Sequence, residues 1–292
     1  ALVVDDAGAQ YPVTIDPLAT APGTYQALLS PNATVTDDFF GFSVAGAGDL
    51  NGDGYAEVVV GAYNASTTDN AGTNQQGRAY VYYGSASGLG TTAGTAAGQR
   101  QTLLNPNQTS TTDLFGYSVA GAGDLNGDGY GDLVVGAYGA STTDNTAATF
   151  LGRAYVYYGS ASGLGTGTAG TAAGQRQTVN NPNTTVTNDL FGASVAGAGD
   201  LNGDGYADLV VGAYYASTAD NAASTQQGRA YVFYGSAAGL GTTPGSSAGQ
   251  RQTLSDPNTT VTDDFFGRSV AGAGDLNGDG YADLVVGAYR AS

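Results

Sequence analysis

One long segment occurs four times along the chain and constrains its fold more than any other feature. FGFSVAGAGDLNGDGYAEVVVGAY begins at Phe40, and near-copies begin at Phe115, Phe191 and Phe266, at intervals of 75, 76 and 75 residues. Two shorter pieces recur between the copies: GRAYV starts at Gly77, Gly152 and Gly228, and AGQRQT starts at Ala97, Ala173 and Ala248. A period of this length that holds several distinct pieces indicates a repeated supersecondary unit.

Each recurring piece has the composition of a β-strand. SVAGAGDL and VVVGAY carry small and β-branched residues bounded by Gly and Asn, and AYVYYG alternates aromatic with small residues. RQTLL and its equivalents are short and end just before a proline. In the order SVAGAGDL, VVVGAY, AYVYYG and RQTLL, we call them strands A, B, C and D. Four-stranded sheets repeated around an axis are propeller blades, so the predicted fold class is all-β, a β-propeller of four-stranded blades.

The two ends of the chain share one blade. We predict a single propeller domain over residues 1–292, with closing strands in 1–36, blades at 37–111, 112–187 and 188–262, and a half-blade at 263–292 that holds strands A and B. Strands C and D within residues 11–16 and 25–29 are expected to pair with it and close a ring of four blades. There are two alternatives. A neighbouring subunit donates the strands and forms a filament, or the chain is part of a larger propeller, of which seven blades need about 525 residues.

Composition excludes several classes of chemistry. The 292 residues include 25 acidic and 8 basic side chains, a net charge of −17, and no Cys, His or Met. Disulfides, Cys nucleophiles, zinc sites built on Cys or His, and a Ser-His-Asp triad are therefore excluded. A chain this acidic repels nucleic acid, and it has no run of 18 apolar residues that would insert into a membrane. The missing Met indicates a processed form, such as one without its signal peptide, or a segment of a longer protein.

The loop between strands A and B carries the chemistry. It reads DLNGDGYAE in the first copy and DLNGDGYGD or DLNGDGYAD in the others, with side-chain oxygens at positions 1, 3, 5 and 9 and a main-chain carbonyl offered by position 7. The predicted ligands are Asp49, Asn51, Asp53, Tyr55 and Glu57; Asp124, Asn126, Asp128, Tyr130 and Asp132; Asp200, Asn202, Asp204, Tyr206 and Asp208; and Asp275, Asn277, Asp279, Tyr281 and Asp283. Hard oxygen ligands at this spacing suit Ca²⁺, and three crowded carboxylates repel one another without a cation. We therefore predict about four Ca²⁺ ions, one in each A–B loop.

Three alternatives to a calcium hairpin explain less of the loop. An EF-hand needs a closing Glu at position 12, where the chain has Val60, Val135, Val211 and Val286. A metal-free Asn-Gly turn needs no acids at positions 1, 5 and 9. Magnesium retains its waters and demands strict octahedral geometry. We expect calcium, with a role in folding and not in catalysis.

Phe-Gly, the D-x-N-x-D-G loop and Val-Val-Gly-Ala follow one another in four copies over residues 38–290. This combination resembles the FG-GAP repeats of integrin α-subunit head domains and of many secreted bacterial proteins. The resemblance implies a β-propeller with a calcium ion in each A–B loop and an extracellular or cell-surface location. The chain departs from the family in two ways. The family's final Pro is Tyr63, Tyr138, Tyr214 and Tyr289 here, and the family usually forms seven blades.

Other residues repeat with the blades. Asp38, Asp113, Asp189 and Asp264 precede strand A, and we expect them to hydrogen-bond a loop or cap a strand end, with paired-carboxylate glycoside hydrolysis as the alternative. Asn32, Asn107, Asn183 and Asn258 lie in N-x-T sequons after a Pro, which turn formation or glycosylation explains. The aromatic residues of strand C are expected to pack between blades.

The expected function is non-enzymatic: a calcium-stabilised extracellular propeller that serves as a structural, adhesive or protein-binding module. Its expected partners are calcium and other copies of the chain or a cell-surface protein, and strand donation between subunits would extend it into a filament. The alternative is a catalytic or non-catalytic propeller part of a secreted polysaccharide-active enzyme, which predicts an asymmetric cluster of acids outside the loops.

Overall fold

The protein is built of β-strands throughout the residues that the structure describes. The structure is a computed structural model, and it describes residues 13–15, 26–32, 37–66, 75–107, 110–141, 150–167, 169–183, 188–217, 226–258 and 263–291. These ranges hold eighteen strands and no helix, which confirms the all-β fold class. Consequently, this part of the chain has no helix of the length and hydropathy needed to cross a membrane.

The strands follow the repeats in order. An N-terminal pair consists of β1 (Val13–Ile15) and β2 (Gln26–Leu28). The first blade consists of β3 (Ser43–Gly48), β4 (Glu57–Ala62), β5 (Arg78–Tyr82), β6 (Thr92–Ala93) and β7 (Gln99–Leu104). The second consists of β8 (Ser118–Gly123), β9 (Asp132–Ala137), β10 (Arg153–Tyr157) and β11 (Arg176–Asn180). The third consists of β12 (Ser194–Gly199), β13 (Asp208–Ala213), β14 (Arg229–Phe233), β15 (Thr243–Pro244) and β16 (Gln250–Ser255), and the last pair of β17 (Phe266–Gly274) and β18 (Asp283–Ala288).

Within a blade the hydrogen-bonded order is A, B, C, D, as predicted. The three sheets run β3-β4-β5-β7-β6, β8-β9-β10-β11 and β12-β13-β14-β16-β15, and all neighbours are antiparallel except the last pair of the first and third sheets. The short strands β6 and β15 lie parallel to strand D at the outer edge and were not expected from the sequence. Four repeats in sheets of this kind fit a propeller of four blades.

Each A–B hairpin contains a β-bulge just before its acidic loop. In the first blade the register passes from Gly46 opposite Val58 to Gly48 opposite Glu57, which leaves Ala47 as the extra residue. The other three A–B hairpins have the same irregularity. A bulge increases the local twist and redirects the residues that follow, so it sets the direction in which the chain enters the loop.

The hydrophobic core lies between the faces of successive sheets. Val59 and Val81 of the first blade share one buried cluster with Phe115, Tyr155 and Tyr157 of the second. Phe115 is completely buried and meets the Tyr155 ring edge-on, with 5.7 Å between ring centroids. The prediction that the aromatic residues of strand C pack between blades is therefore confirmed.

The innermost strands contact one another backbone to backbone. A Cβ added to Gly121 of β8 would lie 2.7 Å from the carbonyl oxygen of Gly46 in β3, and one added to Gly197 of β12 would lie 2.6 Å from that of Gly121. Real Cβ atoms do not approach this closely, so the small residues of SVAGAG are required for the A strands to pack side by side.

In each of the two half-blades at the ends of the described chain, the sheet contains only two strands. β1 pairs with β2 and β17 pairs with β18, and no ladder joins the two pairs among the described strands. Val285 of β18 is 51% exposed, whereas its equivalent in the third blade, Val210, is completely buried. Completion of the fourth blade, by the N-terminal strands or by a neighbouring subunit, stays a prediction, and so do the domain boundaries.

The aspartates that precede strand A in the first three repeats accept hydrogen bonds from the connection before each strand. Asp113 is 1% exposed and accepts hydrogen bonds from the Nδ2 of Asn105 at 3.0 Å and from the Ser110 hydroxyl. Asp189 accepts one from the Nδ2 of Asn181 at 2.9 Å. These carboxylates therefore have the loop-holding role that the sequence led us to expect.

The sequon asparagines lie in tight turns after strand D. The main-chain N–H groups of Asn107 and Asn183 donate to the side-chain oxygens of Asn105 and Asn181, at 3.1 and 2.9 Å. The side chains of Asn32, Asn107 and Asn183 are 5, 7 and 6% exposed. Turn formation accounts for these residues, and their burial disfavours glycosylation at the three sites.

Candidate metal centre

The acidic loop joins strand A to strand B in every repeat. Its position 1 follows the bulge, and its position 9 is the first residue of strand B, so that Glu57 opens β4 and Asp132, Asp208 and Asp283 open β9, β13 and β18. The loop is thus anchored at both ends in one antiparallel hairpin in all four repeats.

The position-1 aspartate forms the centre of the loop. In the first loop, Oδ1 of Asp49 accepts the main-chain N–H groups of Gly52 and Asp53 at 2.7 and 3.2 Å, and Oδ2 accepts that of Gly54 at 2.9 Å. The other three loops repeat this pattern. Several successive N–H groups can point at one carboxylate only where the chain turns tightly. Gly52 and Gly54 permit this turn, with φ of 72° and 86°.

Positions 3 and 5 lie against each other. Asn51 donates from Nδ2 to Oδ2 of Asp53 at 2.9 Å, and Oδ1 of Asn51 accepts the N–H of Asp53 at 3.2 Å. The same Nδ2 lies 3.4 Å from the carbonyl oxygen of Thr95 in the C–D loop. Oxygen atoms of positions 1, 3 and 5 are therefore held at one edge of the blade.

The position-9 carboxylate is buried under the loop. Glu57, Asp132 and Asp208 are completely buried. Asp132 accepts the N–H of Leu125 at 2.7 Å and that of Gly159, at the end of strand C, at 3.0 Å. The position-9 side chain thus ties strands A, B and C together at the mouth of the loop.

Burial also changes the acidity of this carboxylate. Loss of solvation raises the pKa of Glu57 to about 7, that of Asp132 to about 8 and that of Asp208 to about 6. Hydrogen bonds from main-chain N–H groups lower each pKa by less, and the carboxylates at positions 5 and 1 raise it further. An added positive charge would favour the ionised form.

The first loop brings three carboxylates together. Asp49, Asp53 and Glu57 each place one oxygen within 4.8 Å of the others, and among the described residues no other group of three acids does so. The other loops carry Asp at position 9, whose side chain is one methylene shorter than that of Glu57. All these donors are hard oxygens, half-buried or exposed at positions 1 and 5, buried at position 9 of the first three loops and half-buried at Asp283, which suits a divalent cation of the calcium type.

The raised pKa values predict a pH dependence for the metal-depleted protein. Between the unfolded pKa, about 4, and the folded values of about 6 to 8, the folded state binds more protons than the unfolded state. Unfolding free energy should therefore fall as pH rises from 5 to 8. Thermal melts in metal-depleted buffers measure this, and a midpoint that rises over this range would contradict it. Saturating Ca²⁺ should oppose the fall, because it binds the ionised carboxylates.

The structure also shows contacts between loops that the sequence analysis missed. The ring of Tyr130, at position 7 of the second loop, lies over Gly52 of the first loop, where an added Cβ would be 2.8 Å from its Cε1. The main-chain N–H of Gly131 donates to the carbonyl oxygen of Asp49 at 2.8 Å. The sequence alone predicts only a main-chain carbonyl ligand from these tyrosines. The recurrence of Gly at position 4 and Tyr at position 7 in every copy is the signal that could have revealed the contact.

Comparison with known families identifies the repeat. The profile of the FG-GAP repeat matches residues 40–82, 115–157, 191–233 and 266–292, which is more than half of the chain. This chain belongs to the FG-GAP repeat family. Each complete match begins at the Phe-Gly before strand A and ends in strand C, so the acidic loop lies inside every repeat.

Integrin α subunits are among the relatives of this FG-GAP protein. It is 30% identical to integrin alpha-5 of Xenopus laevis over 259 residues, which cover 87% of the chain and 20% of that relative. It is 33% identical to human integrin alpha-IIb over 274 residues, with 90% and 21% covered, and 30% identical to chicken integrin alpha-V over 277 residues, with 94% and 22% covered. The chain therefore spans about a fifth of the length of these relatives.

The tyrosines that replace the family's final proline take part in an aromatic cluster. Tyr63 stacks on Phe39 with 5.1 Å between centroids and meets Phe42 and Tyr117 at 4.7 and 5.2 Å. Tyr117 in turn meets Tyr138 of the same blade at 4.4 Å. The departure from the family pattern thus adds side-chain contacts at the start of strand A and leaves the acidic loop unchanged.

Proposed function

We propose that this FG-GAP chain is a calcium-stabilised, non-enzymatic extracellular propeller that serves as an adhesive or protein-binding module. The observation that carries the proposal is the acidic loop, which has the same main-chain hydrogen bonds to its position-1 carboxylate in four repeats and buries its position-9 carboxylate in the first three. Calcium ions are proposed to bind at positions 1, 3, 5, 7 and 9, about one per loop.

Charge supports the calcium part of the proposal. Each loop holds three carboxylates, and the chain carries a net charge of −17. Burial opposes ionisation of Glu57, Asp132 and Asp208, as their raised pKa values show. A divalent cation would relieve this cost, because it attracts all three carboxylates of a loop at once.

The relatives support the adhesive and extracellular part. Integrin α subunits are adhesion receptors of the cell surface and are not enzymes, and the four matches to the FG-GAP profile each include an acidic loop. The alternative, a polysaccharide-active enzyme, would need acids free to act on a substrate. The repeating Asp38, Asp113, Asp189 and Asp264 are 5% exposed or less, so they do not favour that alternative.

The form of the assembly is also a proposal. The exposed strand β18 suits a further β-strand, which β1 of the same chain would provide in a closed ring and β1 of another copy would provide in a filament. Either form presents the same loops and the same faces to a partner.

The calcium content of the purified chain tests the proposal. We expect about four Ca²⁺ ions per chain by isothermal titration calorimetry, and three in Asp128→Ala, because this substitution removes a central ligand of the second loop. Asp37→Asn is the matched control, since Asp37 is exposed and lies outside the loops, and it should still bind four. Absence of calcium binding at millimolar Ca²⁺ would overturn the proposal.

A further inference from the structure

One peptide group links each acidic loop to the loop before it. The N–H of position 8 donates to the main-chain carbonyl oxygen of the position-1 aspartate in the preceding blade, from Gly131 to Asp49 at 2.8 Å. The equivalent hydrogen bonds run from Ala207 to Asp124 at 3.0 Å and from Ala282 to Asp200 at 2.9 Å. The carbonyl of this same peptide group belongs to the position-7 tyrosine, which is the proposed main-chain ligand of its own loop.

The tyrosine ring reinforces the link. Cβ atoms added to the position-4 glycines Gly52, Gly127 and Gly203 would lie 2.8, 2.6 and 2.4 Å from Cε1 of Tyr130, Tyr206 and Tyr281. The ring of each loop therefore covers the turn of the preceding loop, at the point where the chain folds around the position-1 carboxylate. Because the two loops are closely packed, a change in the conformation of one loop affects the other.

A second set of hydrogen bonds connects the buried carboxylates of neighbouring blades. At the end of strand C, the N–H of Gly159 donates to Oδ1 of Asp132 in its own blade at 3.0 Å. The N–H of the next residue, Ser160, donates to the carbonyl oxygen of Leu50 in the preceding blade at 3.0 Å. The N–H of Leu50 in turn donates to Oε2 of Glu57. The third blade repeats the arrangement with Gly235, Ser236 and Leu125.

We propose that these contacts couple the four acidic loops, so that calcium loads them cooperatively from blade to blade. The inference rests on the proposed calcium binding. A peptide group whose carbonyl ligates a cation becomes a stronger N–H donor, because hydrogen-bonded groups polarise one another. Gly131 would then hold Asp49 more firmly, and Asp49 supplies the first carboxylate of the preceding loop. By thermodynamic linkage the coupling acts equally in both directions.

Electrostatics between loops acts against this coupling. Each loop holds three carboxylates, so a bound Ca²⁺ lowers the charge that attracts the next ion. Salt screens this opposing effect, since the Debye length falls from about 8 Å at 0.15 M to about 3 Å at 1 M. Hydrogen bonds and ring packing are screened much less. Cooperativity that arises from the contacts should therefore become stronger as the salt concentration rises.

Calcium titrations of the whole metal-depleted chain test the inference without any substitution. Isothermal titration calorimetry with CaCl₂ at about 0.15 M and about 1 M KCl should give a Hill coefficient above 1 that rises with salt. Four ions that bind with a coefficient of 1 or less at high salt would overturn the coupling and leave the proposed function intact. Failure to bind calcium at all would overturn both.

Two matched substitutions test the blade-to-blade order. No tyrosine ring covers Gly278 of the fourth loop, where an added Cβ would meet no atom within 4 Å, so the proposed coupling runs from the first loop to the fourth and does not return to the first. Asp128→Ala therefore silences the second loop and leaves only the third and fourth as neighbours, whereas Asp279→Ala silences the fourth and leaves the first three contiguous. Typical coupling energies change affinity by about 5- to 150-fold. We therefore expect the remaining sites of Asp128→Ala to need about fivefold more Ca²⁺ for half-saturation than those of Asp279→Ala. Equal half-saturation in the two variants would overturn the inference.

Discussion

Chelation of calcium should lower the midpoint of thermal unfolding by about 10 to 20 °C. At a free Ca²⁺ concentration about ten times the dissociation constant, one site adds about 1.4 kcal/mol to the unfolding free energy, and four sites add about 6 kcal/mol. Whole domains have net stabilities of only about 5–15 kcal/mol. Because an acidic loop joins strands A and B in each of the four repeats, loss of calcium weakens every repeat at once.

Differential scanning calorimetry with calcium and with excess chelator measures this shift. The control is a variant with Asn in place of Asp53, Asp128, Asp204 and Asp279, which retains the loop length but lacks the position-5 carboxylates. Its midpoint should respond little to chelator. A wild-type midpoint that is the same with and without chelator would refute a structural role for calcium in this protein.

Gly77→Ala should destabilise the protein by about 3–5 kcal/mol, a cost typical of severe core disruption. The glycine has a φ of 85°, and an added Cβ would lie 1.9 Å from the carbonyl oxygen and 2.5 Å from the nitrogen of Phe115. These are main-chain atoms of the next blade, joined to Gly77 by a parallel bridge. They cannot move aside without separating two blades.

Gly48→Ala provides the matched control for that substitution. Gly48 has a similar φ of 74°, but an added Cβ would meet no atom within 4 Å. Gly48→Ala should lower the unfolding free energy by only about 1–2 kcal/mol, the cost of placing an alanine in a left-handed backbone conformation. Urea denaturation of both variants separates the clash between blades from the backbone strain. Equal losses of stability would show that the two blades do not constrain Gly77.

The strands and the loop could be predicted because both are local patterns. The small and β-branched strand residues and the oxygen spacing lie in short stretches that recur every 75 or 76 residues, and the structure confirms strands A to D in that order. The bulge at Ala47 was missed, since an extra residue among Ala and Gly leaves no mark in a pattern of side-chain hydropathy.

Contacts between blades could not be predicted in the same way. Tyr130 and Gly52 are distant in sequence and meet only because two sheets stack in a particular register. The sequence also does not show that the Glu57 carboxylate lies close to two other acids whereas that of Asp132 does not, because position 9 carries an acid in both loops. Periodicity identifies which residues repeat, whereas the geometry between repeats decides which of them touch.

The glycine and alanine residues of the innermost strands have a consequence for the number of blades. The side chains of strand A limit how closely each sheet approaches the axis. Here strand A is little more than backbone, and Gly121 packs directly against Gly46. When the innermost strands are this narrow, the angle between successive sheets about the axis can be large, so a few sheets complete the ring. Bulkier side chains on the innermost strands would move the sheets away from the axis, and more blades would then be needed to close the ring. The number of blades therefore depends on the volume of a few residues near the axis.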